Sequence, residues 1–203
     1  MAGLREQKKQ KNKAAILEAA ILLFGERGYE NTTISALAET AGIGKGTIYS
    51  YFKSKNEILL AFCEEELACM HQEIQQTVPA EASLEEKLLM IFMCEFRYVT
   101  KNKSFGRTLI REMIFPKQLT IEKSKEFGEQ FLQLFASVFK EAQKKGELRR
   151  DIELTVTSGH FYALYLMALS AWYSGRLHSE EDVQETLRLM INQALTGLQP
   201  KDK

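Results

Sequence analysis

Residues 45–52 read Lys-Gly-Thr-Ile-Tyr-Ser-Tyr-Phe, with one amine, two alcohols, two phenols and no carboxylate. As a helix this segment makes about two turns. Ile48 and Phe52 lie four residues apart, so they share one face and are expected to pack inward. The other faces present Lys45, Thr47, Tyr49, Ser50 and Tyr51. Such groups donate hydrogen bonds to phosphates and base edges, so the segment is suited to a DNA groove.

The flanking residues predict a helix, a tight turn and a second helix. Leu37 and Ala38 make one side of the preceding helix apolar, and Gly42 and Gly44 interrupt the helical pattern where the chain must turn. Residues 54–57, Ser-Lys-Asn-Glu, have the spacing of a capping box and predict the start of a further helix.

The first helix is predicted over residues 9–27, from an apolar stripe that ends before Gly28. Gly28 is the expected residue after its C-cap, and Thr32 or Thr33 is expected to cap the next helix. Residues 1–13 carry five basic groups and one acid, which predicts a flexible basic arm. This arm either contacts phosphates or is a solvated tail.

Several short motifs together carry a family resemblance. They are Gly28-Tyr29, Thr32-Thr33, Ala41-Gly42, Tyr49-Ser50-Tyr51-Phe52 and Lys55-Asn56-Glu57-Ile58-Leu59. In these positions the chain resembles the DNA-binding domain of the TetR family of bacterial transcriptional regulators. The motifs cover roughly the first quarter of the chain, and the remainder resembles the family only in length and helical character.

The resemblance implies which residues touch DNA. Recognition-helix contacts are implied for Lys45, Gly46, Thr47, Tyr49 and Tyr51, and a phosphate contact for Lys55. Thr33 and Ser35, at the start of the second helix, are expected to reach phosphates, and Ser50 completes the predicted set. The alternative for Tyr49 and Tyr51 is ordinary packing against the first helix.

Composition restricts the class of protein. The 203 residues hold 27 basic and 27 acidic groups, but residues 1–57 hold nine basic and six acidic groups, a net charge of +3. The chain is thus neutral overall but basic in residues 1–57, which we call the head. This distribution is more typical of a protein with a local nucleic-acid-binding surface than of one that coats DNA or a membrane. No segment approaches the ~20 apolar residues of a bilayer span, so we expect a soluble, cytoplasmic protein without a membrane partner.

No catalytic or metal-binding motif is recognised. The sequence contains no GxSxG, no glycine-rich phosphate loop and no paired histidine ligands, so we expect no enzymatic activity and no cofactor. Cys63, Cys69 and Cys94 lack CxxC spacing and are expected to be reduced and packed as small apolar groups. Cys69 and His71 alone are too few ligands for a metal, so no metal site is predicted.

The rest of the chain is predicted to be helical. Helices are expected over residues 54–77, 83–100, 105–115, 121–145, 151–173 and 179–198, with N-caps that include Ser83, Asp151 and Ser179. No strand alternation is found, so the fold class is all-α. We expect a three-helix helix-turn-helix DNA-binding domain at 1–54, followed by a helical ligand-binding and dimerisation domain at 55–203. No linker separates them, so the helix after residue 54 belongs to both.

Two further sites are predicted in the larger domain. An effector pocket is expected among aromatic residues with a few polar neighbours: Phe92, Glu95, Phe96, Arg111, Phe131, His160 and Tyr162. For each polar one, the alternative is a structural role. The last two helices are the expected homodimer interface, as in the family, through Gly159, Ala163, Met167, Val183, Leu187, Met190, Ile191 and Ala194. The alternative is that these residues form a core within one chain.

The sequence as a whole predicts a ligand-responsive repressor. Its expected partners are a second copy of itself, palindromic double-stranded operator DNA, and a small hydrophobic or aromatic effector that releases the DNA. A helical small-molecule carrier or enzyme with a non-functional head is the alternative; a nonspecific DNA-packaging protein would require a strongly basic composition.

Overall fold

The computed structural model describes residues 2–77, 79, 81–115 and 121–198, and this part of the chain is all-α, as predicted. It forms nine helices: α1 Ala2–Asn31, α2 Ile34–Thr40, α3 Lys45–Tyr51, α4 Lys55–Thr77, α5 Leu84–Thr100, α6 Lys103–Ile114, α7 Ile121–Lys145, α8 Leu154–Tyr173 and α9 Glu180–Leu198. No helix in these described ranges has both the length and the apolarity needed to cross a membrane.

Helix α1 corrects the prediction of a flexible basic arm. The helix begins at Ala2, so residues 2–13 are helical and continuous with the predicted first helix. Lys13 forms an ion pair with Glu65 on α4 at 2.6 Å, while Lys8 and Lys9 are exposed. Gly28, predicted to follow the C-cap of the first helix, has φ 78° and ψ 160°. The helical backbone of α1 is therefore interrupted at Gly28, three residues before the helix ends. Only glycine adopts this backbone conformation readily.

The described residues divide into two compact units that differ from the predicted domains. Unit one comprises 1–67 and 99–125, and unit two comprises 68–98 and 126–203. Helix α6 therefore belongs with the head, because Phe105 lies 6.4 Å from the Phe24 ring and 4.5 Å from the Phe62 ring. The boundaries fall within α4, α5 and α7 rather than at residue 54.

Unit one is built around the apolar face of α1. The side chains of Ile16, Phe24, Leu37, Ile48 and Ile58 are fully buried. Thr32 closes the loop between α1 and α2, since its hydroxyl lies 3.1 Å from the carbonyl oxygen of Leu23 and 2.9 Å from that of Gly28. The buried threonine thus satisfies carbonyls at the α1 terminus.

Unit two has an aromatic core. Phe92 on α5 stacks with Phe135 on α7 and with Tyr165 on α8, and the ring centroids lie 5.0 Å apart in each pair. On α9, Val183, Leu187 and Ile191 are fully buried, at the spacing of one helical face.

Helix ends in unit two follow local chemistry. Ser83 and Glu86 form the predicted capping box, because the Glu86 amide donates to Ser83 Oγ at 3.3 Å and the Ser83 amide donates to Glu86 Oε2 at 2.8 Å. Ser179 Oγ accepts from the Asp182 amide at 3.1 Å, as expected of its N-cap role.

The predicted N-cap at Asp151 is wrong. Helix α8 begins three residues later, with Glu153 as its N-cap. The Glu153 carboxylate accepts from the amides of Thr155 at 3.0 Å and Val156 at 2.5 Å. Asp151 instead pairs with Arg149 at 2.6 Å, so its carboxylate is committed to a guanidinium.

Candidate DNA-binding surface and ligand site

Helices α2 and α3 are positioned by caps and a glycine turn. Thr33, one of two candidates, is the N-cap of α2, and its hydroxyl accepts from the Ala36 amide at 3.1 Å. Gly42 has φ 66°, which turns the chain between the helices. Ile48 is fully buried and Phe52 is 5% exposed, so the inner side of α3 is anchored in unit one.

The outer side of α3 carries most of the predicted DNA contacts. Lys45, Gly46 and Ser50 are exposed, Tyr49 has 50% of its surface exposed, and Thr47 is half-buried. A Cβ built at Gly46 would meet no atom within 4 Å, so packing within the chain does not require glycine there. Thr33 and Ser35 are also exposed. This face remains the predicted DNA-binding surface.

Two predicted hydroxyl contacts already have partners within the chain. The Tyr51 hydroxyl accepts from Asn12 Nδ2 at 3.3 Å, and the residue is half-buried, so Tyr51 also ties α3 to α1. Ser50 Oγ donates to the Thr47 carbonyl at 2.6 Å. Packing against the first helix, the alternative for both tyrosines, therefore describes Tyr51 better than Tyr49.

Lys55, for which a phosphate contact is predicted, lies in the first turn of α4 and has partners within the chain. Its ammonium donates to the carbonyl oxygens of Tyr29 at 2.7 Å and Glu30 at 3.3 Å, and lies 4.6 Å from the centre of the Tyr29 ring. The positive charge thus neutralises carbonyls at the C-terminal end of α1. The structure shows Lys55 linking α4 to α1, a role that the sequence does not signal, since the partners are 26 residues apart.

Four of the predicted effector residues lie in unit two with described side chains in or beside its core. Phe92 is fully buried, Phe96 is 2% exposed and Glu95 is 8% exposed, all on α5. Tyr162 on α8 is half-buried, and its ring lies 6.1 Å from Tyr165. Tyr165, which was not among the predicted site residues, stacks its ring on Phe92.

The other predicted effector residues do not join this cluster. Arg111 is exposed on α6 and belongs to unit one. His160 is exposed, and its ring lies 5.7 Å from Phe161. The side chain of Phe131 lies outside the described residues, as do those of Cys63, Cys69 and His71.

Buried polar atoms of Glu95 and Tyr165, inside unit two, have no hydrogen-bond partner among the described residues. These atoms are Glu95 Oε2 and the Tyr165 hydroxyl oxygen. Burial raises the pKa of the Glu95 carboxyl well above its usual range. Burial, and then the nearby Glu95 carboxyl, raises the pKa of the Tyr165 phenol. Unpaired buried polar groups are rare in native proteins and call for an explanation.

The predicted dimer residues separate into core and surface. Val183, Leu187 and Ile191 are fully buried within one chain, which matches the alternative of an intramolecular core, and a role for them in an interface stays a prediction. Ala163 and Met167 are exposed, while Gly159, Met190 and Ala194 are half-buried. Val156 and Leu189, which the sequence did not single out, are 71% and 59% exposed.

The residues that the structure describes contain no candidate metal-binding cluster. No set of three or more histidine, cysteine, aspartate or glutamate side chains comes together there. Cys94 is buried and forms no disulfide.

Comparison with known proteins identifies the head. Residues 16–62 match the family model "Bacterial regulatory proteins, tetR family". The chain is also 22% identical over 157 residues to the fatty acid metabolism regulator protein of Bacillus subtilis strain 168, which covers 77% of this chain and 81% of that relative.

Solved structures share the fold along nearly the whole chain. The transcriptional regulator FadR from Bacillus subtilis, solved in complex with stearoyl-CoA, has a TM-score of 0.78 at 20% identity, covering 91% of this chain and 98% of the other. FadR from Thermus thermophilus, a TetR-family repressor solved with lauroyl-CoA, has a TM-score of 0.73 at 23% identity, covering 94% and 97%. Residues 16–62 therefore carry the DNA-binding domain of the bacterial regulatory proteins of the tetR family, as the sequence resemblance predicted, and the chain as a whole shares the fold of the solved relatives.

Proposed function

We propose that this regulator binds a near-palindromic operator as a homodimer and represses transcription until an apolar or aromatic effector binds in unit two. The observation that carries the proposal is the two-sided character of α3. Its inner side is anchored by Ile48, while Lys45, Tyr49 and Ser50 face outward. The activity is binding, with no catalysed reaction, and it takes place on chromosomal DNA in the cytoplasm.

The DNA contacts have distinct roles. Lys45 and Thr47, at the start of α3, are the proposed base readers, because amines and hydroxyls read base edges in the major groove. Thr33 and Ser35, at the start of α2, are proposed to hold phosphates, where exposed helix N–H groups also favour an anion. Tyr49 extends the same outward face.

An exposed apolar stripe on α8 supports the homodimer. Val156, Ala163 and Met167 lie seven and four residues apart on that helix, a spacing that places them on one side, and Leu189 on α9 is exposed as well. One head reads only a few base pairs, so a dimer with two heads ~34 Å apart would read both halves of a palindrome.

The aromatic interior of unit two supports an effector with a substantial apolar part. Phe92, Phe96 and Tyr165 are buried there, and the two FadR relatives were solved with stearoyl-CoA and lauroyl-CoA. A ligand changes operator affinity only if it binds one conformation better. A coupling of ~1–3 kcal/mol would change operator affinity ~5- to 150-fold.

Fluorescence anisotropy with DNA from upstream of the protein's own gene tests this proposal. We expect saturable, salt-sensitive binding that a shuffled duplex of the same base composition does not reproduce, with two chains bound per duplex. Equal affinity for the native and shuffled duplexes would contradict operator recognition. One chain per duplex would contradict the dimer.

A further inference from the structure

Glu95 and Tyr165 place a carboxyl oxygen and a hydroxyl without hydrogen-bond partners inside an aromatic region of unit two. Glu95 lies three residues after Phe92 on α5, so the two side chains share one side of that helix. Tyr165 on α8 stacks on Phe92 at 5.0 Å with ring planes 7° apart. The stacking contact therefore brings the α8 phenol to the part of α5 that carries the Glu95 carboxyl.

The surroundings of this pair are aromatic. Phe96, adjacent to Glu95 in the chain, lies 5.2 Å from the Trp172 ring in an edge-to-face contact. Tyr162 lies 6.1 Å from Tyr165. No lysine or arginine in the described part of the chain forms an ion pair with Glu95, whereas the buried Lys87, eight residues earlier on α5, is paired with Glu141 at 3.1 Å. Among the described residues, Glu95 is therefore a buried acid without a basic partner.

Burying a carboxyl group without a partner costs stability, since the group loses hydration and gains no hydrogen bond. A chain selected only for a stable core would place an apolar side chain there, because volume-conserving apolar residues pack without this cost. The pair is therefore better explained by a partner that arrives from outside. A cation is the partner that a carboxylate favours most, and aromatic rings also attract cations.

We propose that Glu95 and Tyr165 form the polar subsite of the effector site, and that the effector is an apolar organic cation, such as a quaternary ammonium or a protonated amine. This inference rests on the proposed effector-binding role of unit two and specifies its chemistry. The cationic group lies against the Glu95 carboxylate, the Tyr165 hydroxyl donates to that carboxylate, and the surrounding rings hold the apolar part.

The proposed effector differs in charge from the acyl-CoA ligands with which the two FadR relatives were solved. An acyl-CoA is an anion, and an anion beside Glu95 favours the neutral form of the buried carboxyl and gains no ion pair there, whereas a cation stabilises the carboxylate. A ligand series that keeps the apolar part and changes only the charge therefore decides between the two chemistries.

The test is a binding titration with three ten-carbon probes: decyltrimethylammonium, decanol and decanoate, each below its micelle concentration. Trp172, the single tryptophan of the chain, lies beside Phe96 and reports binding by its fluorescence. For the full-length protein we expect the cation to bind about tenfold more tightly than the alcohol, and the anion to bind most weakly. Equal affinities, or tightest binding of decanoate, would overturn the proposal.

Glu95→Gln is the decisive variant, because it keeps the shape of the side chain and removes the charge. The cation is expected to lose its advantage and bind like decanol, while affinity for decanol stays within about twofold. Glu181→Gln makes the same charge change at an exposed position of α9 and should leave the preference intact. A preference that survives in Glu95→Gln would rule out Glu95 as its source.

Operator binding distinguishes failure of this inference from failure of the proposed function. If the wild-type protein binds its operator specifically but shows no preference for the cation, the chemistry assigned to the effector is wrong and the regulator remains. If specific DNA binding is also absent, the proposed function fails with it. Circular dichroism confirms that Glu95→Gln is folded; removal of an unpaired buried acid is expected not to lower its melting temperature.

Discussion

Tyr49 is the predicted DNA contact whose effect can be separated from folding. Half of its surface is exposed, on the same short helix as the fully buried Ile48. We expect Tyr49→Ala to reduce operator affinity by about 1–3 kcal/mol, the usual scale for loss of a base-edge or backbone contact. Its melting temperature should match that of the wild type, since exposed side chains contribute little to stability. Anisotropy titration and a thermal melt measure the two quantities.

Ile48→Ala is the matched control one residue away. It removes a buried side chain and should destabilise the protein by about 2–5 kcal/mol, so any loss of DNA binding would accompany unfolding. If Tyr49→Ala lowered the melting temperature as much as Ile48→Ala does, Tyr49 would belong to the packing of the head rather than to the DNA surface.

Lys55 is expected to act on stability more than on phosphate binding. Lys55→Met keeps an unbranched side chain but removes the bonds to the carbonyls of Tyr29 and Glu30. Hydrogen bonds made by charged groups contribute about 1.5–3 kcal/mol, so chemical denaturation should show a loss on that scale. The exposed Lys53 provides the control, since Lys53→Met should leave the free energy of unfolding unchanged.

Salt dependence separates the two possible roles of Lys55. A lost phosphate contact lowers the slope of log affinity against log salt by about one unit. We expect Lys55→Met to leave that slope nearly unchanged. Unaltered stability together with a slope reduced by one unit would support the phosphate role implied by the family resemblance.

At the scale of elements, the start of helix α8 depends on one carboxylate. The amides of Val156 and Thr155 donate to Glu153 and hold the pKa of its carboxyl below its usual value. A lowered pKa in the folded state means that the stabilisation is fully present above the pKa of the unfolded chain. It is lost as the pH falls through the folded value.

Glu153→Gln is therefore expected to be less stable than the wild type at neutral pH, and the difference should shrink as the solution becomes acidic. Thermal melts across the acidic range measure it. Asp151→Asn tests the residue that the sequence suggested as the cap; because its exposed pair with Arg149 lies outside the helix, the effect should be smaller. A larger effect of Asp151→Asn would assign the cap to Asp151.

At the scale of the whole molecule, the dimer prediction can be tested at exposed residues. Met167 is 50% exposed on the apolar side of α8. Met167→Asp should yield folded monomers with weak operator binding, because a charge in the centre of an apolar interface loses its hydration. Sedimentation velocity measures the oligomeric state. An unchanged dimer would exclude this side of α8 from the interface.

Leu187→Asp serves as the contrasting variant on α9. Leu187 is fully buried within its own chain, so an aspartate there should unfold unit two and not merely separate two folded chains. Circular dichroism distinguishes these outcomes. A folded monomeric Leu187→Asp would support the original interface prediction.

The sequence by itself determined the features that arise from neighbouring residues. The helix-turn-helix head is predicted from Gly28, from the glycine turn at Gly42 and from the inward pair Ile48 and Phe52. Each of these signals involves residues that are close together in the sequence. The caps at Ser83 and Ser179 follow from three-residue spacings. These signals act within one or two helical turns, and the structure contains each of them.

The tertiary structure decided which surfaces are covered. Helical spacing on α9 shows that Leu187 belongs to an apolar side, but the covering could come from the same chain or from a second copy, and only packing distinguishes them. Lys55 meets the end of α1, and Tyr165 meets Phe92, through contacts between residues far apart in the chain. Such partners depend on how helices associate in three dimensions, which is why the DNA-reading head was recognisable in advance and the polar pair inside unit two was not.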